Sequence, residues 1–154
     1  MNGMDGMDGL DGMDGMDGME EMDGMDGAHC HITNSLNMPV EAVEHEYPLM
    51  VEEYCLINGS SGSGRMRGGM GVAREVRALS DDTTFSGRAD SFITAAEGYD
   101  GGLPGSHCRI IRNFGSQNEI VMAPKQRLIP LAAGERIRME TPGGGGLGDP
   151  SGRS

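Results

Sequence analysis

Two histidines near the start of the chain, His29 and His31, are the residues best suited to chemistry. Alternate side chains of an extended segment share a face, so His29, His31 and Thr33 are expected to point the same way. Two imidazoles on one face can hold a metal ion or exchange protons near neutral pH. A complete metal site needs at least one further ligand, and the sequence does not identify it. The pair is therefore either part of a site or a structural surface element.

Two glycine-rich stretches come next. The stretch GSSGSGRMRGGMG, residues 59–71, suggests anion binding because glycines let backbone N–H groups approach a phosphate. It matches neither GxxxxGK[ST] nor GxGxxG, so a flexible hairpin loop is the simpler interpretation. Arg65 and Arg67 are suited to a carboxylate or a phosphate. The stretch TPGGGG, residues 141–146, permits close backbone packing or else forms a mobile terminus.

The elements that would position these residues are mostly strands. Pro39, the acidic residues Glu41 and Glu44, and Pro48 predict one short helix over about 39–46. Residues 86–106 are rich in Gly, Asp and Ser, and within them GYDGGLPG, residues 98–105, is expected to be irregular. Short runs rich in β-branched residues predict strands at 49–57, at 71–79, and within CRIIRNF, EIVMA, QRLIPL and RIRME. The fold class is mainly β (α+β): a small antiparallel β domain with one short helix and a core of Val, Ile, Leu and Met.

The first 27 residues read as nine triplets, mostly Met-Asp-Gly. They contain no proline, which argues against collagen, and no closing Glu in register, which argues against an EF-hand loop. High glycine content and like charge predict a disordered tail. The tail holds nine of the 24 acidic residues, so residues 28–154 have 15 acidic and 12 basic residues, a net charge of −3. A domain with this charge has no basic surface for nucleic acid, so nucleic-acid binding is not expected.

Three distant cysteines, Cys30, Cys55 and Cys108, fit neither a disulfide framework nor a thiolate zinc site. A reducing, cytoplasmic setting is therefore predicted. The sequence has no signal peptide pattern and no apolar run long enough to span a membrane. It also lacks a nucleophile elbow and an HExxH motif.

Three blocks taken in order resemble the C-terminal part of the hydantoinase B / 5-oxoprolinase / acetone carboxylase alpha-subunit family. They are MDGMDGAHCHITNSLNMPVEAVEHEYPLMVEEY, GSGRMRGGMGVAREVRAL and TPGGGGLGDP. The resemblance runs from about Met22 to Pro150. It predicts a low-complexity tail at 1–21, a hydantoinase B-like C-terminal domain at 22–150 and a disordered end at 151–154.

The resemblance implies an ATP-dependent hydrolase of cyclic amides that works only as part of a complex. Histidines 29 and 31 would be catalytic. Substrate or partner binding would involve Thr33, Asn34, Glu41, Arg65 and Arg67, and close backbone approach would involve Gly68, Gly69, Gly143, Gly144 and Gly145. ATP and Mg²⁺ would bind an A-type partner, no cofactor is expected on this chain itself, and a divalent metal in the full complex is left open. The metal ligands are unknown.

The resemblance also implies hetero-oligomeric partners: A-type chains and the remaining B-type sequence, which is several times longer than this chain. The chain is expected to be a C-terminal fragment or a split small subunit. An accessory subunit of a ketone carboxylase and a non-catalytic structural domain remain the alternatives. The family's arginine-rich stretch and its proline-tryptophan-glycine segment are largely lost at residues 86–102, which weakens any anion-binding role there.

Overall fold

The computed structural model describes residues 22–28 and 38–152. The predicted helix is present as α1, Val40–Glu46, immediately after Pro39. It buries no residue fully, and Val40 and Val43 are half-buried on one side of it. The carboxylate of Glu44 accepts a hydrogen bond from the backbone N–H of Val51 at 2.9 Å. The short helix is thus tied to the strand that follows it.

Five strands form the main sheet: β1 (Leu49–Leu56), β2 (Val72–Ala78), β4 (Arg109–Arg112), β5 (Ile120–Val121) and β7 (Arg136–Glu140). Their order is β1-β2-β7-β4-β5, and every neighbouring pair is antiparallel. The mainly antiparallel β fold with one short helix is therefore confirmed.

Two further strands, β3 (Thr83–Arg88) and β6 (Lys125–Leu131), pair with each other in a separate antiparallel sheet. No strand was predicted from the sequence over residues 83–88, which form β3. The register shifts between Phe85 and Gly87, where a Cβ on Gly87 would lie 2.5 Å from the Phe85 ring. The half-buried face of β3 carries Thr83, Phe85 and Gly87, and Phe85 is its only large apolar residue, so the apolar alternation that marks a strand is weak in the sequence.

The core lies between the two sheets and is small, as the composition predicts. Its fully buried members come from four strands, and partly buried aromatic and aliphatic side chains surround them. They are Ala78, Ile110, Leu131 and Ile137, with Phe85, Ala89, Phe92 and Met122 packed against them. None of the helices in the described residues has the length and apolar character to cross a membrane. The predicted disorder of residues 1–21 lies outside the described residues.

Candidate functional site

The residues with the clearest chemical character, His29, His31, Thr33 and Asn34, lie outside the described residues. The structure does describe residues 22–28, which lead directly into His29. The contacts that hold residues 22–27 against the fold therefore define how the chain approaches His29.

Three glycine-rich segments pack against one another through their backbones, and we call them the glycine cradle: residues 60–71, 96–106 and 141–148. Apart from isolated bridges they form neither helix nor strand, and they are joined through backbone hydrogen bonds. The sequence predicted a flexible hairpin loop for residues 59–71. They do connect the antiparallel strands β1 and β2, but they pack against the other two segments.

The hydrogen bonds of the cradle run between all three segments. Gly62 donates its N–H to the carbonyl of Gly144 at 2.8 Å, and Gly144 donates to that of Gly69 at 2.9 Å. Gly146 donates to the carbonyl of Leu103 at 2.9 Å. These bonds satisfy backbone groups of chain that has no strand partner.

Glycine is required in the cradle because the backbones touch. A Cβ on Gly143 would lie 2.1 Å from the carbonyl oxygen of Ser60, and one on Gly145 would lie 2.0 Å from that of Glu97. A Cβ on Gly68 would lie 2.1 Å from the carbonyl oxygen of Gly144. All three neighbours are backbone atoms, which cannot rotate away. The structure thus brings Gly68, Gly69 and the run 143–145 into direct backbone contact.

Residues 22–27 lie against one edge of the cradle and are held there by Arg67. The guanidinium of Arg67 donates two hydrogen bonds to the carboxylate of Asp26, at 2.6 and 3.1 Å. The backbone N–H of Met70 donates to the same carboxylate at 2.8 Å. These donors, Arg67 first, hold the pKa of Asp26 below its ordinary value. Asp23 also pairs with Arg67, with 3.6 Å between its carboxylate and Nε.

The other predicted site residues are more scattered. Arg65 is exposed, and its backbone N–H donates to the carbonyl of Gly148 at 3.2 Å. Glu41 lies exposed in the first turn of α1. Within the described residues, no group of three or more His, Cys, Asp and Glu side chains could hold a metal ion.

A buried charged network on one face of the main sheet was not predicted from the sequence. Arg138, only 7% exposed, donates to Glu140 at 2.8 Å and also to Glu53. A carboxylate oxygen of the buried Glu75 lies 3.6 Å from Arg138, and the Phe114 ring centroid lies 4.4 Å from its guanidinium. Burial alone would lower the pKa of Arg138, but the hydrogen bonds to Glu140 and Glu53 raise it. Charged residues alternating with apolar ones in REVRA and RIRME are the signal that could have revealed this network.

Asp23 and Asp26 were not predicted as site residues either, although the start of the domain was predicted near Met22. Their partner lies more than forty residues away along the chain. The only local signal was the position of the two triplets directly before the histidine segment.

The sequence matches the family model described as Hydantoinase B/oxoprolinase over residues 11–150. The chain belongs to this family. It is 37% identical over 120 residues to the B-type chain of a putative D-/L-hydantoinase from Pseudomonas sp. (strain NS671), covering 76% of this chain and 20% of that protein. The chain thus spans about a fifth of the length of that relative.

Two solved structures share the fold. The ATP-dependent caprolactamase of Pseudomonas jessenii matches with a TM-score of 0.58 and 27% identity, over 75% of this chain and 21% of that one. A nucleotide-free acetone carboxylase, from a study of ATP-dependent acetone carboxylation, matches with a TM-score of 0.61 and 19% identity. That match covers 79% of this chain and 20% of the carboxylase chain, and it shows the common fold.

Proposed function

We propose that this chain supplies the C-terminal part of a B-type subunit in an ATP-dependent hydrolase that opens cyclic amides. The observation that carries the proposal is the family match over residues 11–150, which includes the histidine segment and the whole glycine cradle. Hydantoin, 5-oxoproline and caprolactam, named in the family and its relatives, each contain an amide within a ring. The substrate class proposed here is that shared group.

The role proposed for His29 and His31 is proton transfer at an active site shared between chains. Imidazoles titrate near neutral pH and can accept or donate a proton during attack on a carbonyl and departure of an amine. The cradle supports this role, since it fixes residues 22–27 and leaves only Ala28 between them and His29. Thr33, Asn34, Glu41 and Arg65 are proposed to contact substrate or partner chains.

The complex would contain the rest of the B-type sequence and an A-type partner that binds ATP and Mg²⁺. The supporting facts are that one relative is the B-type chain of a putative hydantoinase and that the caprolactamase is ATP-dependent. This chain spans about a fifth of the length of such a relative, so we propose that it contributes only some of the residues of the active site. Dependence on ATP favours a cytoplasmic setting.

Reconstitution tests the proposal. The 154-residue chain is assayed for ATP-dependent ring opening of hydantoin, 5-oxoproline and caprolactam, alone and with A-type and upstream B-type chains. Activity is expected only from the assembled complex. Ring opening by the isolated chain, or none by the complex with any of the three substrates, would contradict the proposal.

The chain contains its own matched control for the histidines. His29→Ala with His31→Ala is expected to abolish turnover by the complex while assembly is retained. His45 and His107 are both exposed, so His45→Ala with His107→Ala removes two imidazoles elsewhere and should leave turnover unchanged. Unchanged turnover with the first pair would favour a non-catalytic, structural domain.

Carboxylation of a ketone is the alternative activity, favoured only by the structural likeness to acetone carboxylase. Bicarbonate distinguishes the two. A carboxylase consumes bicarbonate in proportion to product, whereas ring opening consumes water. Product formation that requires bicarbonate and a ketone would replace the hydrolase proposal with this one.

A further inference from the structure

The edge of the cradle that holds residues 22–27 makes the same contacts twice. The first triplet uses Arg67: its backbone N–H donates to the carboxylate of Asp23 at 2.8 Å, and its carbonyl accepts from the N–H of Gly24 at 2.7 Å. An aspartate and the glycine after it therefore bind the two backbone groups of a single residue.

The second triplet repeats this arrangement three residues further on. The backbone N–H of Met70 donates to the carboxylate of Asp26 at 2.8 Å, and the carbonyl of Met70 accepts from the N–H of Gly27 at 2.9 Å. Residues 67–70, here called the triplet groove, thus bind Asp-Gly pairs spaced three residues apart. The guanidinium of Arg67 adds a charge contact to the second aspartate.

The groove also selects for glycine. A Cβ on Gly24 would lie 2.5 Å from the backbone nitrogen of Gly69. Gly27 has a φ of +60°, which side chains disfavour, and a Cβ there would lie 3.1 Å from Cγ1 of Val72. The ligand class of the groove is therefore a peptide of the form Asp-Gly-x-Asp-Gly.

The same peptide occurs more than once in this chain. Residues 4–9 and 13–18 both read MDGMDG, identical to the bound residues 22–27. We propose that the triplet groove is a binding site for Asp-Gly triplets that holds residues 13–18 in place of 22–27 in a second register. Every contact that the groove makes with the bound copy is available from the upstream one.

The triplet Met19-Glu20-Glu21 sets the size of the shift. A shift of three residues would put Glu21 at the position of Gly24, and a shift of six would put it at that of Gly27. Both positions require glycine, so the shortest permitted shift is nine residues. In the observed register one residue separates the groove from His29, and in the shifted register ten do. The register therefore sets the length of chain between the groove and His29.

Amide hydrogen exchange on the full chain tests this proposal. Gly24→Glu blocks the observed register, and exchange at Gly15 and Gly18 is then expected to slow by roughly tenfold or more. Gly24→Glu combined with Gly15→Glu should remove that protection. Gly15→Glu alone is the control, and it should leave the protection of Gly24 and Gly27 intact.

A second variant, without added bulk, controls for misfolding of Gly24→Glu. Asp23→Asn with Asp26→Asn removes the charges of the bound copy without adding bulk, and protection should again move to Gly15 and Gly18. Unprotected Gly15 and Gly18 in both variants would overturn the proposal. Loss of protection throughout the sheet in both variants would also overturn it, because residues 13–18 should have occupied the groove in place of residues 22–27. Protection that appears only at high protein concentration would also overturn it, since it would show binding to a second molecule.

Discussion

Substitution of Gly143 by alanine tests whether the glycine cradle is a rigid, backbone-packed layer. The added Cβ would lie 2.1 Å from the carbonyl oxygen of Ser60 and 2.5 Å from its carbonyl carbon. Distances this short force the two segments apart, and the neighbouring atoms are backbone. The N–H of Ser106 donates to the same carbonyl of Ser60 at 2.7 Å, so the displacement also strains that bond.

Overpacking of a buried site costs about 1–3 kcal/mol, and this contact lies at the upper end because no side chain can yield. We expect Gly143→Ala to lower the free energy of unfolding by about 3 kcal/mol, which lowers Tm by roughly 10 °C for a domain of this size. Urea denaturation followed by far-UV circular dichroism measures the first quantity, and a thermal scan measures the second.

Gly144, the next residue, provides the matched control. A Cβ there would lie 3.3 Å from the nitrogen of Gly69, with its other neighbours at 3.7 Å. Gly144→Ala removes the same backbone freedom but is expected to change stability by less than about 1 kcal/mol. Equal unfolding free energies for the two variants would refute the rigid cradle.

Three further predictions concern side chains. Arg138→Ala removes the cation that the buried Glu75 and Glu140 share, although Glu75 keeps Arg136 at 2.9 Å and Glu140 keeps Arg109 at 3.5 Å. It should therefore destabilise the chain by about 3 kcal/mol in urea, the lower end of the cost of breaking a buried pair, whereas Arg109→Ala, at an exposed site, should cost under about 1 kcal/mol. Arg112 hydrogen-bonds Glu135 and lowers the pKa of that carboxyl, so its stabilisation is complete above the unfolded pKa and is lost as the pH falls through the folded pKa. Glu135→Gln should therefore cost about 1 kcal/mol at pH 7 and progressively less below about pH 4, by urea titration at each pH. Burial raises the pKa of Cys108, and the hydrogen bond to Glu53 followed by burial raises that of Cys55, so peptide mapping should show both thiols alkylated more slowly at pH 8 than an unstructured cysteine.

Local patterns were sufficient to predict most of the fold. Pro39 and Pro48 flank α1, and Glu41 lies in its first turn. Short β-branched runs mark most of the strands. Both kinds of signal act within a few residues, so they can be read from the sequence. The exception is β3, whose half-buried face carries a single large apolar residue, Phe85, so its alternation is weak in the sequence.

The site was less predictable because its contacts join distant segments. Gly143 packs on Ser60, and Asp26 pairs with Arg67, across long stretches of chain. A glycine-rich run reads the same in sequence whether it is a mobile loop or a packed layer. Whether the run is mobile or packed depends on which backbone segment lies against it, and the pairing of the whole sheet determines that segment.

Arg67 shows how the structure refines a residue assigned from resemblance. The resemblance gave it a substrate or partner role, but its guanidinium donates to Asp26 and lies within ion-pair distance of Asp23. To bind a substrate anion, Arg67 would have to release the segment that leads to His29. Lysine cannot reproduce the two-pronged contact, so the geometry favours a positioning role in which Arg67→Lys loosens residues 22–27. If His29 and His31 transfer protons as proposed, Arg67 acts on the reaction by positioning them. Loss of its guanidinium should then lower the turnover of the complex and leave its substrate affinity unchanged.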